Sequence, residues 1–284
     1  MSRDQAHHLR EAVAASQREA ITADRSRVAR VIAVSSGKGG VGKTNLVANL
    51  GVTLAMAGRQ TMILDADLGL ANIDVVLGIT PQYTLAHVLA KQKSIREVIV
   101  EGPCKVRVIP GGFGLAGLAD LPSGNREELI ESLAELEGAF DILLVDTSPG
   151  ISPNVLRFII AAGEVIVVTT PEPTAMTDAY ALIKVVAQQS RRVSFGLLVN
   201  MVDDPREADE VIRTMIGVSK RFLGVQVRSY GHLPHDVNLP RAVKKQTPLV
   251  LAFPYSTLSR SLVALSERIL TNEQSEAGPM GARQ

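Results

Sequence analysis

The chain has 284 residues, 46% of them hydrophobic, and a formal net charge of +1. That length and apolar content suffice for a full core in one domain, and the near-zero charge removes any global electrostatic case for nucleic acid. A single cysteine, Cys104, excludes an internal disulfide framework and fits a reducing compartment.

Taken in chain order, residues 1–27 form a polar extension without the apolar core of a secretory leader. No apolar stretch anywhere reaches membrane-spanning length, so a cytoplasmic protein is expected. Residues 28–270 read as one compact domain. Seven strands are predicted, at 28–36, 60–67, 106–112, 140–148, 164–171, 193–200 and 225–234. Several are apolar almost throughout, as strands covered on both faces are. Helices are predicted near 43–57, 84–90, 94–99, 125–137, 152–162, 174–189, 205–222 and 257–270. This alternation implies an α/β fold, a three-layer sandwich with a mostly parallel central sheet. The tail TNEQSEAGPMGARQ (271–284) has the composition of a flexible segment.

Between the first strand and the first helix lies GKGGVGKT (37–44), which matches the phosphate-loop pattern G-x-x-x-x-G-K-[ST] in the required strand–turn–helix context. Gly37, Gly39, Gly40 and Gly42 allow tight turns and close backbone approach to an anion. With Val41 and Asn45, the run is expected to cradle phosphates by its N–H groups and helix start. Lys43 is expected to bridge the terminal phosphates, and Thr44 to give Mg²⁺ a hydroxyl ligand. The cofactors follow as ATP or ADP with Mg²⁺. Lys38 is unnecessary for such a loop. Its charge either serves the opposite subunit of a face-to-face dimer, neutralising the transferring phosphoryl group, or is simply solvated.

SSGKGGVGKT (35–44) resembles the deviant phosphate loop of the MinD/ParA family of ATPases. The resemblance continues through DADLGLANIDVVLG (65–78), LLVDTSPG (143–150), PEPTAMTDAYALIK (171–184), LLVNMV (197–202) and LPHD (233–236). It implies a P-loop ATPase fold of the deviant Walker A type and an ATP-dependent homodimer in which Lys38 reaches across the interface.

Asp65 and Asp67 close an apolar strand, and their spacing puts both on one side if the strand stays extended. By resemblance, Asp67 positions or activates the attacking water, and Asp65 supports Mg²⁺ and its waters. Asn72 either senses the terminal phosphate or caps a turn. Asp146, after four apolar residues, is placed as the second acidic contact to Mg²⁺. Asn200 ends another apolar strand, where a carboxamide can read the adenine edge. By resemblance, Pro234 packs near the adenine and Asp236 lies close to the base or ribose.

The ends distinguish relatives with different tasks. DQAHHLREAV (4–13) places Ala6, Leu9 and Val13 at helical spacing. Asp4, Gln5, Ala6, Leu9 and Arg10 resemble the DQAxxLR activator motif of flagellar regulators of the FlhG (FleN, YlxH) group. That resemblance implies stimulation of the GTPase FlhF, with Gln5 nearest the partner nucleotide. It also implies control of flagellar number and placement, and contacts with FliM, FliN and a flagellar transcription activator. Transient contact with the inner membrane face near the flagellar pole would accompany them. In TLSRSLVALSERIL (257–270), Leu258, Leu262, Leu265 and Ile269 form one stripe. It suits either a membrane-binding helix, as in a MinD-type division-site regulator, or the last helix of the core, and its position after AFPYS favours the core. RAVKK (241–245) is either a partner-facing basic edge or a solvated helix face. A non-enzymatic DNA-binding protein is the remaining alternative, opposed by the complete phosphate loop.

Overall fold

The computed structural model describes residues 29–67, 71–112, 123–136 and 138–276. All seven expected strands form: β1 (Arg30–Ser35), β2 (Thr61–Ala66), β4 (Arg107–Ile109), β5 (Ile142–Thr147), β6 (Glu164–Thr169), β7 (Ser194–Val202) and β8 (Val227–Pro234). An eighth, β3 (Val100–Glu101), was not expected, because two residues carry no periodicity. The sheet order is β3-β4-β2-β5-β1-β6-β7-β8, parallel throughout except for β3 against β4. β1 therefore sits between β5 and β6, where successive crossovers diverge to either side and a crevice opens beyond the strand ends.

The strands face two cores. Ala33, Leu143, Val145, Val165 and Val167 point to one, while Ile32, Val34, Ile142, Leu144, Ile166 and Val168 point to the other. This period of two within nearly continuous apolar runs marks strands covered on both faces. On the second face pack helix α1 (Lys43–Met56), through Leu46, Val47, Leu50 and Leu54, and the short helix α2 (Ile73–Leu77). On the first pack α3 (Leu85–Leu89), α4 (Ser123–Ala134), α5 (Pro153–Ala162), α6 (Pro173–Gln189) and α7 (Pro205–Val218).

Two helical expectations are corrected, and two short helices are added. Residues 94–99 form turns, not a helix, and lead directly into β3. The helix expected to reach 222 leaves α-helical geometry at Val218 and closes in a π-turn over Ser219–Leu223, ended by Gly224 at φ 65°. The helices α8 (Leu239–Lys244) and α9 (Leu249–Ala252) were too short to read from periodicity. In α8, Arg241 and Lys244 are exposed while Ala242 is buried, so this segment has a solvated helix face.

The last helix, α10 (Thr257–Glu276), extends six residues beyond the expected boundary at 270. Its apolar stripe is buried: Leu258, Leu262, Leu265 and Ile269 are all within 5% exposure and belong to the second core. Each such side chain contributes about 2 kcal/mol by burial. The stripe is core packing rather than a surface for lipid. Among the described residues no helix is long and apolar enough to cross a membrane.

A phosphate loop with two lysines and unfilled acceptors

The loop leaves β1 at Ser35 and enters α1 at Lys43, bending at Gly42, which has φ 87° and occupies the N-cap position. A Cβ at Gly42 would lie 2.6 Å from the Asn200 amide nitrogen, so glycine is required there for both conformation and space. Gly37 is pressed on another element: a Cβ there would lie 2.2 Å from the Asp178 carbonyl of α6. Gly39 and Gly40 are exposed at the tip, and Val41 is buried beneath it. The first turn of α1 contains no acidic residue, and Gly42 has no side chain with which to cap it. Its backbone N–H groups are therefore suited to an anion.

The two lysines diverge. Lys43 is 7% exposed, and its Nζ donates to the Ser36 hydroxyl at 2.9 Å. Burial pulls its pKa below the usual lysine value, against the opposing charges of Asp146 and Asp67. Lys38 points outward. Its Nζ donates to Glu172 Oε2 at 2.6 Å and to Thr174 Oγ1 at 3.4 Å, at the start of α6. This pair is largely solvated, with side-chain exposures of 41% and 63%. Glu172 and Thr174 were not singled out in the sequence; the PEPT run at 171–174 was the available signal.

Asp65 and Asp146 are register partners on β2 and β5, each 1% exposed. Their surroundings differ sharply. Asp65 accepts backbone N–H bonds from Asp67 at 3.2 Å, Asn72 at 3.1 Å and Ile73 at 3.2 Å. Burial and the neighbouring Asp146 still raise its pKa to about 8, against the N–H groups of Ile73 and Asp67. Neither oxygen of Asp146 accepts a hydrogen bond of normal geometry. Burial raises its pKa to about 7, while the nearby Thr44 hydroxyl and Lys43 ammonium favour the ionised form. Asp67 lies just beyond β2, where the strand no longer stays extended, and its Oδ1 accepts from Ser148 Oγ at 2.8 Å.

Among the described residues no three His, Cys, Asp or Glu converge as a metal cluster. Magnesium does not need one: it is commonly held by one or two carboxylates, waters and substrate phosphates. Asp146, with two buried, unsatisfied oxygens beside Thr44, fits that donor set. Asp65 fits less well as a ligand, since its oxygens already hold the backbone leading to α2.

At the base end, Asn200 lies two residues before the end of β7, and its Nδ2 donates to the Val41 carbonyl at 2.8 Å. Pro234 closes β8 beside Val202. Asp236 is committed elsewhere: its carboxylate accepts from the N–H groups of Asn238 at 2.8 Å and Leu258 at 3.2 Å, joining the loop after β8 to the start of α10. Asn72 is exposed at the N-cap position of α2. Asp4, Gln5, Ala6, Leu9, Arg10 and Val13 lie outside the described residues.

This is the nucleotide crevice of a P-loop ATPase, placed at the carboxyl ends of a parallel sheet. The AAA domain family matches residues 29–197. Over 84% of this chain and 86% of that protein, the sequence is 41% identical to the antiactivator FleN of Pseudomonas aeruginosa. It is 32% identical to the flagellum site-determining protein YlxH of Helicobacter pylori, over 82% and 79% of the two chains. A structure of the septum site-determining protein MinD from Pyrococcus horikoshii, complexed with Mg-ADP, superposes with a TM-score of 0.75. It is 25% identical, with 88% of this chain and all of that chain covered. The chain belongs to the MinD/ParA family of P-loop ATPases, with ATP and Mg²⁺ as its nucleotide and metal.

Proposed function

We propose that this protein is an ATP-driven dimerising switch of the FlhG type, controlling flagellar number and placement and stimulating the FlhF GTPase through residues 4–13. The observation that carries the ATPase half is Asp146: a buried carboxylate whose oxygens accept no hydrogen bond of normal geometry, beside Thr44 and Lys43. Lys43 would hold the terminal phosphates from within its own subunit, and Thr44 and Asp146 would hold Mg²⁺. Bound there, Mg²⁺ neutralises charge on the phosphate oxygens. Asp67, oriented by Ser148, would position the attacking water. The solvated pair with Glu172 leaves Lys38 available to exchange partners and act on the nucleotide of a second copy. Ligation that differs between ATP and ADP states would then make and remove a partner surface.

The flagellar half rests on the similarity to FleN and YlxH together with the DQAxxLR segment. FliM, FliN and a flagellar transcription activator are proposed as further partners, and the cytoplasm, with transient contact at the membrane near the flagellar pole, as the place of action. Burial of the α10 stripe removes the feature that would have favoured a MinD-type membrane helix. A GTPase assay with the cognate FlhF tests the assignment. Full-length protein and a peptide of residues 1–27 should both raise GTP hydrolysis, Q5A and L9A peptides should do so less, and protein lacking 1–27 should bind ATP without stimulating FlhF. No stimulation by either full-length protein or peptide would remove the activator role and leave the ATPase intact.

A further inference from the structure

The nucleotide crevice lies at the carboxyl ends of the strands, and a second recess lies at the opposite end of the sheet. A cavity of about 560 Å³ surrounds the start of β7, lined by Glu164 and Tyr230 from β6 and β8, Ser190 and Arg191 after α6, and Gln226 and Arg228 at the start of β8. That volume falls in the range of roughly 300–1,000 Å³ that small-molecule sites occupy. The six residues of β6 hold the two ends about 20 Å apart. Tyr230 is the extra residue of a bulge in the edge strand β8: Ser229 pairs with Leu197 and Gly231 with Leu198, which leaves Tyr230 without a register partner. Its ring lies over Gly196, where a Cβ would come within 2.3 Å of it.

The charge of the recess is positive. Among the described residues Glu164 is the only acid in the lining, and Arg30 takes both its oxygens, with the Tyr230 hydroxyl added. That pair cancels, and the guanidinium charges of Arg191 and Arg228, both exposed, remain. No acidic residue stands between Asp178 and Asp203 or between Glu210 and Asp236, the two stretches that supply them. Ser190, Ser194 and Gln226 add neutral donors, and Val193, Phe195, Val225 and Val227 add an apolar wall. We infer that this recess is a second ligand site, one that takes a phosphate monoester with a compact organic body. Two guanidinium charges are balanced by a dianion, whereas a carboxylate leaves one uncompensated. Guanidinium forks and hydroxyls match the several acceptors of a phosphate group. The apolar wall and the volume call for an organic body beside it. The recess is concave and lined from three strands, a shape suited to a soluble ester rather than to the headgroup of a lipid held in a bilayer.

Phenyl phosphate, titrated into full-length protein saturated with Mg-ADP and followed by amide chemical shifts, tests this with the crevice filled. The amides of Ser194, Gly196 and Gln226 should shift saturably, with a Kd on the order of 1 mM or tighter. Arg191→Gln and Arg228→Gln, checked for folding by thermal melts, should each weaken binding at least about tenfold, the scale of a lost hydrogen bond to a charged group, and leave Mg-ADP affinity unchanged. Phenol and inorganic phosphate should each bind about tenfold more weakly than the ester. No saturable shift, or full binding retained in both variants, would overturn the site. Phenol binding as tightly would make it an apolar crevice, and inorganic phosphate binding as tightly would remove the organic body; either result overturns the assignment. Vesicles of phosphatidylglycerol should not capture the protein through these arginines. Vesicle binding that both variants lose and phenyl phosphate displaces would hand the site to a lipid headgroup and overturn the soluble ligand.

Discussion

At the amino-terminal end of the sheet, Arg30 donates to both oxygens of Glu164, at 2.8 and 2.7 Å, and to the Ile269 carbonyl at 2.6 Å, while Tyr230 adds a hydroxyl bond to Glu164 at 3.0 Å. At the carboxyl end, on the neighbouring strand β5, Asp146 is more deeply buried and accepts no hydrogen bond of normal geometry. Asn45 Oδ1 shares that condition. The first cluster ties β1, β6 and α10 together and is complete within the chain. The second is completed by what binds. Stability and the nucleotide site are thus separated along the strands, and the predicted effects of substitution separate in the same way.

The largest effect on stability is expected at the complete end. Glu164→Ala strands the Arg30 charge in a nearly closed environment and should cost about 3 kcal/mol. In a domain of this size that lowers the melting temperature by about 6–12 °C, measurable by calorimetry. Affinity for Mg-ADP at the far end should be unchanged; a matching loss would break the proposed separation. The converse substitution is Lys43→Ala, which should weaken Mg-ADP binding about 100-fold, the scale of lost charge-assisted hydrogen bonds.

Asp146→Asn sharpens the contrast through pH. In the ligand-free protein the folded pKa of Asp146, about 7, lies above its ordinary value of 3.8. A raised acid stabilises the fold below the unfolded pKa, and that contribution is lost as pH rises through the folded one. Ligand-free wild type should therefore lose stability between about pH 4 and 8, with Asp65 extending the upper end. D146N should flatten much of this slope and lose Mg²⁺-dependent nucleotide binding. An equally steep denaturation profile in D146N would show that Asp146 is not the buried charge responsible. The smallest effect belongs to Glu172→Ala. Its pair with Lys38 is solvated, so stability measured in urea should move by less than about 1 kcal/mol.

Much of this arrangement is legible in the sequence because it is local. The strands are continuous apolar runs, and the loop residues 37–45 are consecutive, so composition and spacing reach them. What the sequence hides is pairing at a distance. Lys38 meets Glu172 134 residues away, and Asp65 and Asp146 are neighbours only through the β2–β5 register. Asp65 carries the same strand-end signature as Asp146, yet its oxygens accept from the N–H groups of Asp67, Asn72 and Ile73, bonds that no periodicity reveals. The contact of Asp236 is hidden for a similar reason: the start of α10, 22 residues on, folds back so that Leu258 N–H donates to its carboxylate. The α10 stripe has the spacing of a membrane helix and of a core helix alike, and only packing against α1 and β8 separates them.

The most direct test of the central claim, that Lys38 serves a second copy while Lys43 serves its own nucleotide, is sedimentation velocity with Mg²⁺ and a β,γ-imido analogue of ATP. Wild type should sediment as a dimer with the analogue and as a monomer with ADP. Lys38→Ala should remain monomeric in both while binding ADP within about twofold of wild type, because a solvated lysine contributes little to a site it does not face. A K38A protein that dimerises as wild type does, or one that loses ADP affinity as K43A does, would contradict the division of labour between the two lysines.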